Sequence, residues 1–143
     1  MTAYFDTAFV AKCYLNEPDS QPVRDLAFSL DGVYSSAWCI AELACVFQRH
    51  VREARLTRGQ ANRLRDFFLE DVRDGVWSLL PISERFLFRV ESLVSALPKS
   101  MYLRAGDAIH LAAAQGAGFA EIWSNDKRLL AAAPAFGLTG KSV

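Results

Sequence analysis

Short apolar segments that read as strands alternate with longer segments of helical period along the whole chain, and this alternation restricts the fold more than any other feature. "TAYF" is a strand-like opening, and a helical run follows from Thr7 to about Leu15. After the break "NEPDSQ", Pro22 is placed for the first turn of a second helix that reaches Leu30. A strand is expected around Val33–Ser35. Ser36 can cap the next helix, whose buried face would carry Ile40, Leu43, Ala44 and Phe47. "LTRGQ" interrupts, and Leu64, Phe67, Phe68 and Val72 mark a fourth helix.

"VWSLLPI" reads as a strand ended by Pro81, followed by a helix from Ser83 to Leu97 with Phe86, Val90, Leu93 and Leu97 on its apolar stripe. Beyond "PKS", "LRAGDAIHLAAAQGAG" is a helix with a Gly-rich exit. "AEIWSND" is a strand, "KRLLAAA" a short helix stopped by Pro134, and "GLTGKSV" has room for a last short strand. The expected fold is therefore α/β: a doubly wound, mostly parallel sheet with helices on both faces. The 143 residues, 52% of them apolar, suit a single domain spanning 1–143 with a full core.

No segment approaches the roughly 18 uninterrupted apolar residues of a membrane span. Asp6 breaks any apolar region that could serve as a secretory signal, so a soluble cytoplasmic protein without membrane association is the expectation. Cys13, Cys39 and Cys45 lack zinc-type spacing and are expected to be reduced, mostly buried thiols.

Two strands end in carboxylates. Asp6 closes the first and Asp126 closes "AEIWSN", so both belong at the sheet edge where open parallel sheets bind ligands. Glu42 lies in the helix entered from the second strand, among the small and apolar residues of "CIAELACVF", and Asp107 lies near the start of "RAGDAIHLAAA". Each acid alone has a structural alternative: Asp6 and Asp126 as helix caps, Asp107 as a partner of a helix dipole, Glu42 as a surface charge. Together in one crevice they would repel, so either some of them protonate or a cation neutralises them. Oxygen donors without a His or Cys pattern favour Mg²⁺ or Mn²⁺ over zinc. Thr7, Ser124 and Asn125 are neutral groups able to orient the acids or a bound water.

The four acidic contexts resemble those of the PIN-domain family, and within it the VapC-type toxins of bacterial toxin–antitoxin pairs. "YFDTAFVAKCYLNEP" is similar to the family's opening strand and helix. "SSAWCIAELACVF", "LRAGDAIHLAAA" and "IWSNDKRLLAAA" resemble its second, third and fourth acidic segments. The resemblance covers nearly the whole chain in order, and it departs at Ala8, where a small polar residue is common. It implies a PIN-like three-layer α/β/α sandwich with a short, mostly parallel central sheet.

The same resemblance implies a metal-dependent endoribonuclease, with Asp6, Glu42, Asp107 and Asp126 as the acidic, metal-binding set and Thr7 and Ser124 as supporting hydroxyls. The implied cofactor is Mg²⁺ or Mn²⁺. The implied partners are an RNA substrate, a cognate antitoxin protein and a second copy in a homodimer. A PIN-fold module that binds RNA or protein without cutting is the alternative.

Six of the chain's arginines fall between Arg49 and Arg65, although acidic and basic residues balance overall. Arg49 and Arg52, two to three turns beyond Glu42 on one helix, can line an approach for an RNA backbone. Arg58, Arg63 and Arg65 read as a solvated face. His110, three residues after Asp107, has a general acid as its alternative, but within "AIHLAAA" it reads as a packed core histidine, and His50, between Arg49 and Arg52, reads as part of a basic surface. Phosphatases that form an aspartyl-phosphate need a second Asp two residues after the first, and that position is Ala8.

Overall fold

A computed structural model describes residues 1–143. The chain runs β1 (Thr2–Tyr4), α1 (Thr7–Tyr14), α2 (Ser20–Ser29), β2 (Gly32–Ser36), α3 (Cys39–Arg52), α4 (Arg58–Arg73) and β3 (Trp77–Leu80). It continues α5 (Glu84–Ser95), α6 (Ala105–Gly116), β4 (Glu121–Trp123), α7 (Lys127–Ala132), a 3₁₀ turn (Ala133–Phe136) and β5 (Thr139–Lys141).

Every strand pairing is parallel. β2 lies between β1 and β3, and β4 pairs with β5. A bridge between Phe5 and Trp123 joins the two parts, with the Asp6 amide donating to the Trp123 carbonyl at 3.1 Å. Strand order is thus β3-β2-β1-β4-β5, and it reverses between β1 and β4. That is the switch point at which a parallel sheet leaves a crevice beyond its carboxyl ends.

Strand alternation divides the core into two layers. Ala3, Phe5, Val33 and Trp77 point to one face and pack with Phe9, Val10, Leu43, Phe47 and Phe68 from α1, α3 and α4. Tyr4 and Ile122 point to the other face, against Ile109, Leu111, Leu129 and Phe136. Phe5 meets Phe9 edge-to-face at 5.3 Å between ring centroids. Burying a ring of this size contributes about 1.5–3 kcal/mol, so the first strand and the helix after it are fixed together. The result is the expected three-layer α/β/α sandwich around a short parallel sheet.

Several local expectations shift. Ser36 ends β2 and its hydroxyl accepts from the Trp38 amide at 3.1 Å, while Trp38 itself occupies the cap position of α3. The buried stripe of α3 runs through Cys39, Leu43 and Phe47, leaving Ile40 and Ala44 exposed. "LTRGQ" is the start of α4: the Thr57 hydroxyl accepts from the Gln60 amide, and the Gln60 side chain accepts from the Thr57 amide. Phe67 faces solvent beside the buried Phe68. Of the cysteines, Cys39 is buried, Cys13 is half-buried and Cys45 is exposed.

His50 does not join the basic surface. It is buried, its Nδ1 lies 2.9 Å from the Val46 carbonyl and its Nε2 lies 3.5 Å from Glu17. The reason is helical spacing, since His50 follows Phe47 on the inner face of α3 while Arg49 and Arg52 point outward. No helix is long and apolar enough to cross a membrane.

Candidate active site

The crevice at the switch point is an open cleft of about 870 Å³, and all four acids line it. Each arrives on a different segment. Asp6 follows β1, Glu42 is in the first turn of α3, Asp107 is in the first turn of α6, and Asp126 stands between β4 and α7.

Asp6 is only 4% exposed. Its Oδ1 accepts from the Phe9 amide at 3.0 Å, capping α1, and its Oδ2 accepts from the Ser124 hydroxyl. Burial pushes its carboxyl up to about 6, although the His110 charge and the Ser124 hydrogen bond pull the other way. The same Ser124 oxygen accepts from the Asp126 amide at 2.9 Å, so one buried hydroxyl ties the first acid to the last.

Asp126 caps α7, its Oδ1 accepting from the amides of Arg128 at 2.8 Å and Leu129 at 3.2 Å. Its Oδ2 is left for the Arg104 guanidinium, whose Nη2 lies 3.3 Å away. Asp107 Oδ2 is buried and accepts no hydrogen bond, although Arg104 Nε stands 3.5 Å from it as an ion-pair partner. Burial, followed by the charge of Asp126, raises the Asp107 carboxyl above its usual range.

Glu42 is held differently. Its Oε1 accepts from the Thr7 hydroxyl at 2.7 Å and from His110 Nε2 at 2.7 Å. Burial works to raise its carboxyl, but the His110 hydrogen bond and charge, with Thr7, outweigh it and hold the group below its usual range. The other ring nitrogen, Nδ1, lies 2.8 Å from the Tyr4 hydroxyl. Glu42 Oε2 faces the backbone of Gly106, where a Cβ would stand only 2.7 Å away. The first turn of α6 can come this close to α3 because residue 106 has no side chain.

The sequence-predicted residues therefore divide. Asp6, Thr7, Glu42, Asp107 and Asp126 line one cleft, where Ser124 ties Asp6 to Asp126 and Thr7 holds Glu42, and Arg49 and Arg52 line the outer part of the same cleft. Asn125 is exposed and hydrogen-bonds to none of the acids. In the extended turn after β4 it is the neighbouring Ser124 that points inward. His110 is buried, as a core histidine would be, yet both its nitrogens are engaged with site residues.

Sequence reasoning passed over Tyr4, Gly106 and Arg104. For Arg104 a signal existed: it occupies the position before α6 where a short polar side chain normally caps, and it makes no such cap.

No three His, Cys, Asp or Glu side chains already converge at coordinating distance. The donor set nevertheless fits a divalent cation. Asp107 carries a buried oxygen without a hydrogen bond, and burial holds the Asp6 and Asp107 carboxyls above their usual range. All the facing donors are hard oxygens, the chemistry of Mg²⁺ and Mn²⁺.

A family model described as PIN domain matches residues 3–134. A search of curated proteins finds no match. Among solved structures, the chain is similar to one in the VapBC2 complex of Rickettsia felis bound to a DNA fragment from its promoter, with 15% identity and a TM-score of 0.70 over 99% of this chain and 98% of that one. It is similar to a chain of FitAcB from Neisseria gonorrhoeae, with 20% identity and a TM-score of 0.67 over 98% and 96%. It is also similar to VapC20 of Mycobacterium tuberculosis, described as a Sarcin-Ricin loop cleaving toxin, with 15% identity and a TM-score of 0.68 over 92% and 95%. At these identities the structural likeness establishes the fold.

Proposed function

Because the chain belongs to the PIN domain family, we propose that it is a metal-dependent endoribonuclease acting as the toxin of a toxin–antitoxin pair. The observation that carries this reading is the meeting of four carboxylates from four separate segments in one cleft whose outer wall holds Arg49 and Arg52. The described activity of VapC20 and the two-component VapBC2 assembly lend it support.

Asp6, Asp107 and Asp126 would hold Mg²⁺ or Mn²⁺, with Glu42 joining directly or through a water. When bound, such a cation supplies activation of a water for in-line attack on phosphorus and neutralisation of the charge that develops there. The chain's own residues do the rest. Ser124 and the Phe9 amide fix both oxygens of Asp6, and the α7 amides fix Asp126. Thr7 and His110 hold one oxygen of Glu42, and its Oε2 faces Gly106, which lines the same cleft. Arg49 and Arg52 offset the repulsion between an acidic site and an RNA backbone. Hydrolysis by water would leave a 5′-phosphate and a 3′-hydroxyl. In this reading the partners are an antitoxin, an RNA substrate and a second copy of the chain, and the compartment is the cytoplasm.

The test is cleavage by purified protein freed of any partner. Total bacterial RNA is incubated with Mn²⁺, with EDTA, and with Asp6→Asn protein plus Mn²⁺, and new 5′ ends are mapped. Discrete cuts that require both metal and Asp6 are expected. Intact RNA beside demonstrable metal binding would replace this reading with a PIN-fold module that binds without cutting.

A further inference from the structure

The acid cluster already contains a cation of its own. Arg104 stands immediately before α6 and lays its guanidinium between two acids from different elements, Nε 3.5 Å from Asp107 Oδ2 and Nη2 3.3 Å from Asp126 Oδ2. The side chain is 58% exposed, so packing does not confine it there. It gives α6 no cap either.

The oxygens it faces matter most. Asp126 Oδ1 is committed to the amides of α7, and Asp107 Oδ2 has no hydrogen bond from any group. Arg104 therefore stands opposite one oxygen of each aspartate that remains available to a metal ion. A guanidinium and a divalent cation at those atoms would repel each other at close range, so both cannot stay. With the guanidinium 58% exposed and screened by solvent, pairs of this kind change an equilibrium by roughly fivefold each. The arginine is thus held firmly enough to compete and loosely enough to leave.

We propose that Arg104 is the exchangeable counter-ion of this acid pair, bridging Asp107 and Asp126 in the metal-free protein and yielding their oxygens when a divalent cation binds. The proposal rests on the reading of these acids as a metal site. It implies that the metal affinity of the chain is set partly by a side chain that is not a ligand.

Calorimetric titration with Mn²⁺ of the full chain tests it, comparing wild type with Arg104→Gln, Arg104→Lys and Arg52→Gln. Arg104→Gln should tighten Mn²⁺ by roughly three- to tenfold, the combined worth of two solvent-screened pairs. Arg104→Lys keeps the charge and should bind more weakly than the Gln variant. Arg52→Gln removes a charge from the same cleft without touching the acids and should leave the affinity within about twofold of wild type.

An Arg104→Gln protein that binds no tighter than wild type, or no tighter than Arg52→Gln, overturns the proposal while leaving the metal site standing. No heat from any of the four proteins removes the metal-site reading itself, and the proposal with it. A spectroscopic readout is independent of the variants' folding. In ¹⁵N-labelled wild type the Arg104 Nε signal should shift on Mg²⁺ saturation. A fixed Arg104 signal while the Asp107 and Asp126 amides shift counts against exchange.

Discussion

His110 Nε2 stands 2.7 Å from Glu42 Oε1, across the gap between α6 and α3. Glu42 is held in its ionised form and can only accept, so the imidazole nitrogen donates to it. Behind the ring the Tyr4 hydroxyl meets Nδ1 at 2.8 Å, and Tyr4 is fully buried in β1. A line of three side chains thus runs from the sheet interior to an acid at the cleft wall. The ring orients the carboxylate, and the strand orients the ring.

Removing the ring should cost stability as well as geometry. His110→Ala leaves a cavity, a buried Tyr4 hydroxyl without its partner, and a Glu42 carboxylate short of one donor. The expected loss is about 2–4 kcal/mol, read from urea denaturation. Thr7→Val deletes only one of the two donors to Glu42 and should cost less, about 1 kcal/mol. Equal costs would mean that the ring contributes no more than one hydrogen bond to Glu42 and that neither its packing nor its contact with Tyr4 adds stability.

Asp6 should make the metal-free protein less stable as pH rises. Its carboxyl moves from an ordinary value of 3.8 in the unfolded chain to about 6 in the folded one, chiefly through burial. The folded state therefore binds the proton more tightly, so the stability tied to that proton is full below pH 3.8 and is lost as pH climbs through about 6. Asp6→Asn removes this loss and should be more stable than wild type at pH 8 by about 1–3 kcal/mol. The difference should vanish near pH 4. Saturating Mn²⁺ should raise the stability of wild type and leave the variant unchanged. Denaturant titrations at several pH values, with and without the metal, check both signs.

The alternation of strands and helices was readable because hydrophobic period is a local property. The four acids were readable because each sits at a strand end or a helix start, where topology decides its direction. What escaped was angular detail. On α3, Ile40 and Ala44 match the apolar pattern, but the helix is turned so that Cys39, Leu43 and Phe47 face the sheet and Glu42 faces the cleft. His50 was hidden by its arginine neighbours for the same reason. His110 looked like core material and is core material. Only the meeting of α6 with α3 turns it into a partner of Glu42, a contact 68 positions apart in the chain. No local pattern carries such a contact.

Gly106 gives a test of that meeting. A Cβ there would stand 2.7 Å from Glu42 Oε2 and 3.4 Å from Trp38 Nε1. Glu42 cannot swing aside freely, because Thr7 and His110 hold its other oxygen. Gly106→Ala should displace the carboxylate by a fraction of an ångström to an ångström, and RNA cleavage should fall by roughly ten- to a hundredfold. Stability should change little, since the gain from placing Ala in a helix, up to about 1 kcal/mol, offsets the crowding. Unchanged cleavage rates would show that Glu42 tolerates movement and that its exact placement is unimportant to the reaction.

Arg49 and Arg52 should separate RNA binding from chemistry. Both are exposed, both line the outer cleft on α3, and neither contacts an acid of the cluster. If each meets one phosphate, Arg49→Gln and Arg52→Gln should each make the slope of log K against log salt shallower by about 0.7, the value for single-stranded RNA. KM should rise while kcat stays close to wild type, because contacts made equally in the bound and transition states affect binding alone. The double variant should flatten the slope by about 1.4 in total if the two contacts are independent. A slope that does not move in either variant would return these arginines to the solvated face of the helix, with Arg58, Arg63 and Arg65. A fall in kcat at unchanged KM would instead bring one of them next to the scissile phosphate.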